Sequence, residues 1–65
     1  MEVTYKFTAL FKKMWGTDVI HYVSQYKGFT TEASCLYLQE VMWKAAEQGA
    51  FEILSMSACM AMGGA

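Results

Sequence analysis

Sixty-five residues, 55% of them hydrophobic, with a formal charge of −1, make a single domain that can hide only about 60% of its unfolded surface. The apolar content exceeds what one core of that size absorbs, which predicts self-association or a protein partner that covers the remainder. All five cationic residues are lysines, and without arginine, the side chain suited to bidentate phosphate and guanine recognition, direct nucleic-acid binding is disfavoured.

Residues 2–12 alternate. Val3, Tyr5, Phe7, Ala9 and Phe11 point one way, while Glu2, Thr4, Lys6, Thr8 and Lys12 point the other, so a half-buried strand is expected, with Leu10 as its one apolar residue on the polar side. Residues 13–18 supply Gly16 and Asp18 for a reversal. The expected connection is a hairpin loop longer than two residues, with Trp15 folded back as a cap on the sheet. Residues 19–29 are rich in β-branched and aromatic side chains and read as a second strand. The alternation does not decide which of its faces is buried.

Gly28 ends that run, and Thr30 or Thr31 is a natural N-cap for a helix that opens with Glu32 and continues through strong helix formers to Gln48, with Gly49 as its stop. At about 100° per residue, Cys35, Leu38, Val41, Met42, Ala45 and Ala46 gather on one side for burial. Leu36 and Trp43 fall nearly opposite, two turns apart on one stripe, among Glu32, Gln39, Glu40, Lys44 and Glu47. Such an arrangement presents an aromatic and an aliphatic anchor inside an acidic rim. The bland alternative is a loop or chain end folded over both. Residues 50–62 return as a third strand, but Leu54, Met56, Ala58 and Met60 share the face of Glu52 rather than that of Ile53. A strand apolar on both sides needs cover on both sides, or a bulge that exchanges its faces.

These elements make an α+β fold, ββαβ. A right-handed crossover through the helix gives a three-stranded antiparallel sheet in the order 2-1-3, with the helix packed on one face and the other face open. Residues 1–62 form this single domain and residues 63–65 a frayed C-terminus. Residues 1–29 carry Lys6, Lys12, Lys13 and Lys27 against Glu2 and Asp18, whereas residues 30–65 carry Lys44 against Glu32, Glu40, Glu47 and Glu52. The molecule is therefore expected to be an electrical dipole whose acidic helix suits a basic protein surface.

Catalytic chemistry is sparse. His21 is the lone histidine, the carboxylates are spread along the helix, and the five glycines form no phosphate-cradling pattern. No enzyme, metal site or cofactor is expected. Cys35 and Cys59 lie in apolar periodic segments and read as reduced core thiols rather than as a bridge. Of the six methionines, Met42 belongs to the core stripe, and the others fit equally an adaptable contact surface or gap-filling. The longest charge-free stretch, residues 53–65, is too short and too polar to span a membrane, and the N-terminus is unlike a secretory signal. A cytoplasmic protein is the expectation.

The stretch Ala50-Phe51-Glu52-Ile53, running on to Ala58-Cys59-Met60-Ala61, together with Glu32-Ala33 at the helix start, resembles a family of small podophage early proteins that bind the host RNA polymerase and block transcription. The strand-strand-helix-strand order is also that family's. The resemblance implies a non-enzymatic protein acting in the host cytoplasm, with the acidic helix face as its contact surface. In that family basic residues on the last strand contribute to the contact; Ser55 and Ser57 stand at those places here, and the helix is longer by more than a turn. Those contacts therefore do not carry over.

The reading that follows is a binding module whose face of Glu32, Leu36, Gln39, Glu40, Trp43 and Glu47 docks on a basic groove of a larger bacterial protein, with host RNA polymerase as the family's example. Replacing Trp43 by alanine should then weaken binding and leave the fold intact. The alternative is a homo-oligomer assembled through the open sheet face or the third strand.

Overall fold

The computed structural model describes residues 3–63. Glu2, expected in the first strand, and Gly64 and Ala65, expected in the frayed end, lie outside them. The elements are β1 (Thr4–Trp15), β2 (Asp18–Phe29), α1 (Glu32–Glu47), β3 (Glu52–Met56) and β4 (Met60–Met62). β1 is central and antiparallel to every strand it meets: β2 runs along one edge, and β3 and then β4 run along the other. The expected order 2-1-3 with one helix is what the chain forms, with a fourth strand added where the third was expected to continue.

The alternation of β1 decides which side of the sheet is covered. Phe7, Ala9 and Phe11 are buried, and with Cys35 and Met42 of α1 they form the core. Cross-strand pairing extends this layer into β2. Phe7 lies opposite Tyr26, and Phe11 opposite Tyr22, with ring centroids 5.0 Å and 5.1 Å apart. The even-numbered side of β2 thus faces the helix, a choice made by register with β1. A bulge lies between Tyr5 and Lys6, whose partners are Phe29 and Lys27. Gly28 is the extra residue, and its φ of +91° is backbone that L side chains rarely adopt.

The hairpin is tighter than expected. β1 runs on to Trp15 and β2 starts at Asp18, leaving only Gly16 and Thr17 between them. Gly16 has φ +65°, and no non-glycine residue has positive φ among the described residues. Positive φ at the first central position alone is the signature of a type II′ turn, whose twist matches that of the strands. Twelve-residue strands span about 40 Å, so the hairpin outruns the helix. The molecule measures 48 × 19 × 13 Å, with a radius of gyration of 13.6 Å against about 11 Å for a compact chain of this length. Trp15 stands at the projecting tip, 67% exposed, with the Lys13 Nζ 5.8 Å from its ring centroid. It does not fold back as a cap, because the sheet continues to the turn and, among the described residues, no layer lies over that end.

Helix α1 begins and ends as its residues dictate. The Thr31 side chain accepts a hydrogen bond from the Ser34 N–H at 3.1 Å, and Glu32 sits in the positive first turn. At the other end Gly49 N–H donates to the Ala46 carbonyl and Ala50 N–H to the Ala45 carbonyl, the paired bonds of a Schellman stop. Gly49, at φ +89°, supplies the left-handed residue that motif needs.

The third strand is interrupted. In the β1–β3 ladder Leu10 pairs with Ser55 but Phe11 pairs with Ile53, so Leu54 is an extra residue and the faces exchange there, as the two-sided pattern of residues 50–62 required. Pairing stops at Met56 and resumes at Met60. The junction is tied by Ser57, whose N–H donates to the Thr8 carbonyl at 2.9 Å while its Oγ accepts from the Thr8 N–H at 2.9 Å. Ser57 therefore replaces a ladder pair with a backbone bond and a side-chain bond.

Candidate functional site

The buried line of α1 runs through Cys35 and Met42, seven residues apart and both turned onto the phenylalanines of β1. Val41, expected among the buried positions, is 41% exposed, because it lies about 100° from Met42 around the axis. Gln39, expected on the outer face, is half-buried, and its Nε2 donates to the Ser57 carbonyl at 2.8 Å. The helix is thus rotated toward the β3 side relative to the pattern of its apolar residues alone. A polar residue moves inward because the strand junction offers it a carbonyl. Gln39 is an internal tie and leaves the candidate contact set.

Leu36 and Trp43 are 49% and 47% exposed, on the flank of the helix rather than diametrically opposite its buried line. Glu32, Glu40 and Glu47 are exposed. Lys44 forms an ion pair with Glu40 at 3.2 Å; spaced i,i+4 between exposed groups, it contributes only about 0.3–0.5 kcal/mol. The outer face keeps an acidic excess of three glutamates to one lysine.

The tertiary structure adds a second wall. Beyond the end of the β1–β3 ladder, the C-terminal turn of α1 and the projecting hairpin enclose a groove of about 740 Å³. Trp43, Ala46 and Glu47 line its helix side, Phe51 and Ile53 come from the returning chain, and Lys12, Lys13 and Met14 from β1. Trp43 is therefore both an exposed anchor and part of a groove wall. Glu47 was also expected on this face; sequence reasoning missed the lining residues from the returning chain and β1, since helical periodicity carries no information on what lies beside the helix.

Among the described residues the opposite face of the sheet has no second layer. Register places Lys6 beside Lys27, Leu10 beside Val23, Lys12 beside His21 and Met14 beside Val19. From the other edge Met60, Ser55 and Glu52 join Lys6, Leu10 and Lys12. This face is basic and partly apolar, and the helix face is acidic, so the charge asymmetry along the sequence becomes an asymmetry across the thickness of the fold.

Among the described residues no group of three or more His, Cys, Asp or Glu side chains could hold a metal ion, and no helix is long and apolar enough to cross a membrane. The fold and this face define a small α+β protein with a half-exposed tryptophan in an acidic setting. Comparison with protein-family models, curated proteins and solved structures finds no match.

Proposed function

We propose that this chain is a non-enzymatic binding module that docks the Leu36–Trp43 flank of α1 and the adjoining groove onto a basic surface of a larger protein, blocking access to that surface. The observation that carries the reading is Trp43, which keeps about half its surface in water while lining an apolar-floored groove. A large aromatic side chain at the centre of a charged rim is the usual form of an interface hot spot. Leu36 and Trp43 supply affinity, and Glu32, Glu40 and Glu47 supply orientation and association rate. The resemblance to podophage inhibitors makes bacterial RNA polymerase the first partner to test.

The test is binding of the purified chain to immobilised bacterial RNA polymerase, at two salt concentrations, with Leu36→Glu alongside. Salt-sensitive binding that Leu36→Glu reduces by at least tenfold supports the reading. Binding that ignores the substitution moves the contact elsewhere, and no binding removes the polymerase as partner.

A second reading has its own observation, the uncovered sheet face with its lysines and apolar row, which complements the acidic helix of another copy. Head-to-tail contact of that kind is heterologous and does not close on itself. Sedimentation equilibrium at increasing concentration would show mass rising without a plateau. A monomer at millimolar concentration refutes it.

A further inference from the structure

Cys35 and Cys59 are 24 positions apart in sequence, yet their Sγ atoms lie 2.6 Å apart, only about half an ångström beyond a disulfide bond of about 2.05 Å. Cys35 is fully buried on the sheet side of α1. Cys59 is half-buried in the connection between β3 and β4. The approach is held from both sides: Ser57, two residues from Cys59, is bonded to Thr8 of β1 through its backbone and side chain, and to Gln39 of α1 through its carbonyl. Both thiols are thus carried by tied segments, and joining them needs a small shift of side chains rather than a rearrangement of the fold.

We propose that Cys35 and Cys59 form an oxidisable dithiol site that reacts with a small-molecule disulfide and closes into an intramolecular bridge, pinning α1 to the β3–β4 edge of the sheet. Cys59, which solvent reaches, attacks as thiolate one sulfur of the reagent R–S–S–R. A Cys59–S–S–R bond forms, the reagent S–S bond breaks, and the departing thiolate takes up the proton that Cys59 lost. The Cys35 thiolate then attacks Cys59 Sγ and expels the second thiolate, which takes up the Cys35 proton. The protein loses two electrons and two protons, and the reagent leaves as two thiols. Access sets this order, and burial reinforces it by pushing the Cys35 thiol up to about 12, so the closing step quickens as pH rises. The bridge closes a loop of about 25 residues, a constraint on the unfolded chain that raises the Tm of a domain this size by roughly 15–30 °C. The dithiol site does not depend on the acidic face being a docking surface.

The full chain is equilibrated in glutathione buffers of increasing disulfide-to-thiol ratio, quenched with acid, weighed by intact mass spectrometry and melted. The expected product is a monomer about 2 Da lighter, with no titratable thiol and the raised Tm. A stable adduct about 305 Da heavier, a disulfide-linked dimer, or two free thiols at the highest ratio would each overturn the proposal. Cys59→Ala, at a half-buried position, retains the fold and should show neither the mass loss nor the Tm shift. An equal Tm rise in that variant under oxidant would also overturn it.

Discussion

Ser57 holds the interrupted edge of the sheet together, and Ser57→Ala removes one bond of that junction while leaving the backbone pairing in place. The lost bond is Thr8 N–H to Ser57 Oγ, 2.9 Å and partly buried. Without the hydroxyl, the Thr8 N–H, which points toward the β3–β4 gap, has no partner. An exchange of protein for water hydrogen bonds costs about 0.5–1.5 kcal/mol, and a buried donor left unpaired about 1–3 kcal/mol. Partial burial places the expected loss at about 1–2 kcal/mol. For a domain of this size each kcal/mol moves Tm by about 4–8 °C, so the variant should melt about 5–15 °C lower. The bond from Ser57 to the Ala58 carbonyl, exposed at 3.2 Å, adds little. Thermal and urea unfolding followed by circular dichroism give the number, with the exposed Ser55→Ala as reference, expected within about 0.5 kcal/mol of the parent. Native-state hydrogen exchange should show the Thr8 amide losing protection in Ser57→Ala. Equal stability of the two alanine variants, with Thr8 still protected, would refute the junction as described.

Trp43→Ala should destabilise the domain by about 2–3 kcal/mol in denaturant titration, since the unexposed half of the side chain, on the order of 100 Å², is removed from water at about 25 cal/mol per Å²; a loss below about 1 kcal/mol would mean the ring is not packed on the fold. Leu36→Glu, at a 49% exposed position, is the cleaner probe of binding, expected to change stability by less than about 1 kcal/mol. Gly16→Ala places a side chain at φ +65° and should cost about 1 kcal/mol in the same titration. Alkaline stability follows from Cys35, whose thiol is raised from 9.0 to about 12 by burial, then by Cys59 and Glu32. Between those values the folded state binds the proton that the unfolded chain has released, so stability present below pH 9 is lost as pH rises, by up to about 1.4 kcal/mol per unit. Urea midpoints across pH 8–11 should fall for the reduced parent and be flatter for Cys35→Ala.

Much of the architecture was legible in local pattern. The two-residue period of residues 3–11, the Thr31 cap, the Gly49 stop and the face conflict in residues 50–62 each have a counterpart in the structure, because each arises from neighbours along the chain. The extent of the hairpin was not. The alternation alone places the start of the loop at Lys13, whereas pairing of Lys13 with Ile20 and Met14 with Val19 carries the strand to Trp15. That continuation depends on a partner strand rather than on β1 itself.

The outer carboxylates of α1 and the burial of Met42 followed from helical spacing alone. What spacing could not provide is the rotation of the helix on the sheet. The Ser57 carbonyl drew Gln39 inward while Val41 was left in water, and the groove beside Trp43 is completed by Lys13, Phe51 and Ile53, brought together only by tertiary packing. The same holds for the thiols. Periodicity placed Cys35 and Cys59 in apolar segments, but only the bulge at Leu54 and the break after Met56 set Cys59 against Cys35. Sequence determined which local conformations were favourable; the meeting of distant segments, decided by register, bulges and a shared hydrogen bond at Ser57, determined which side chains became neighbours.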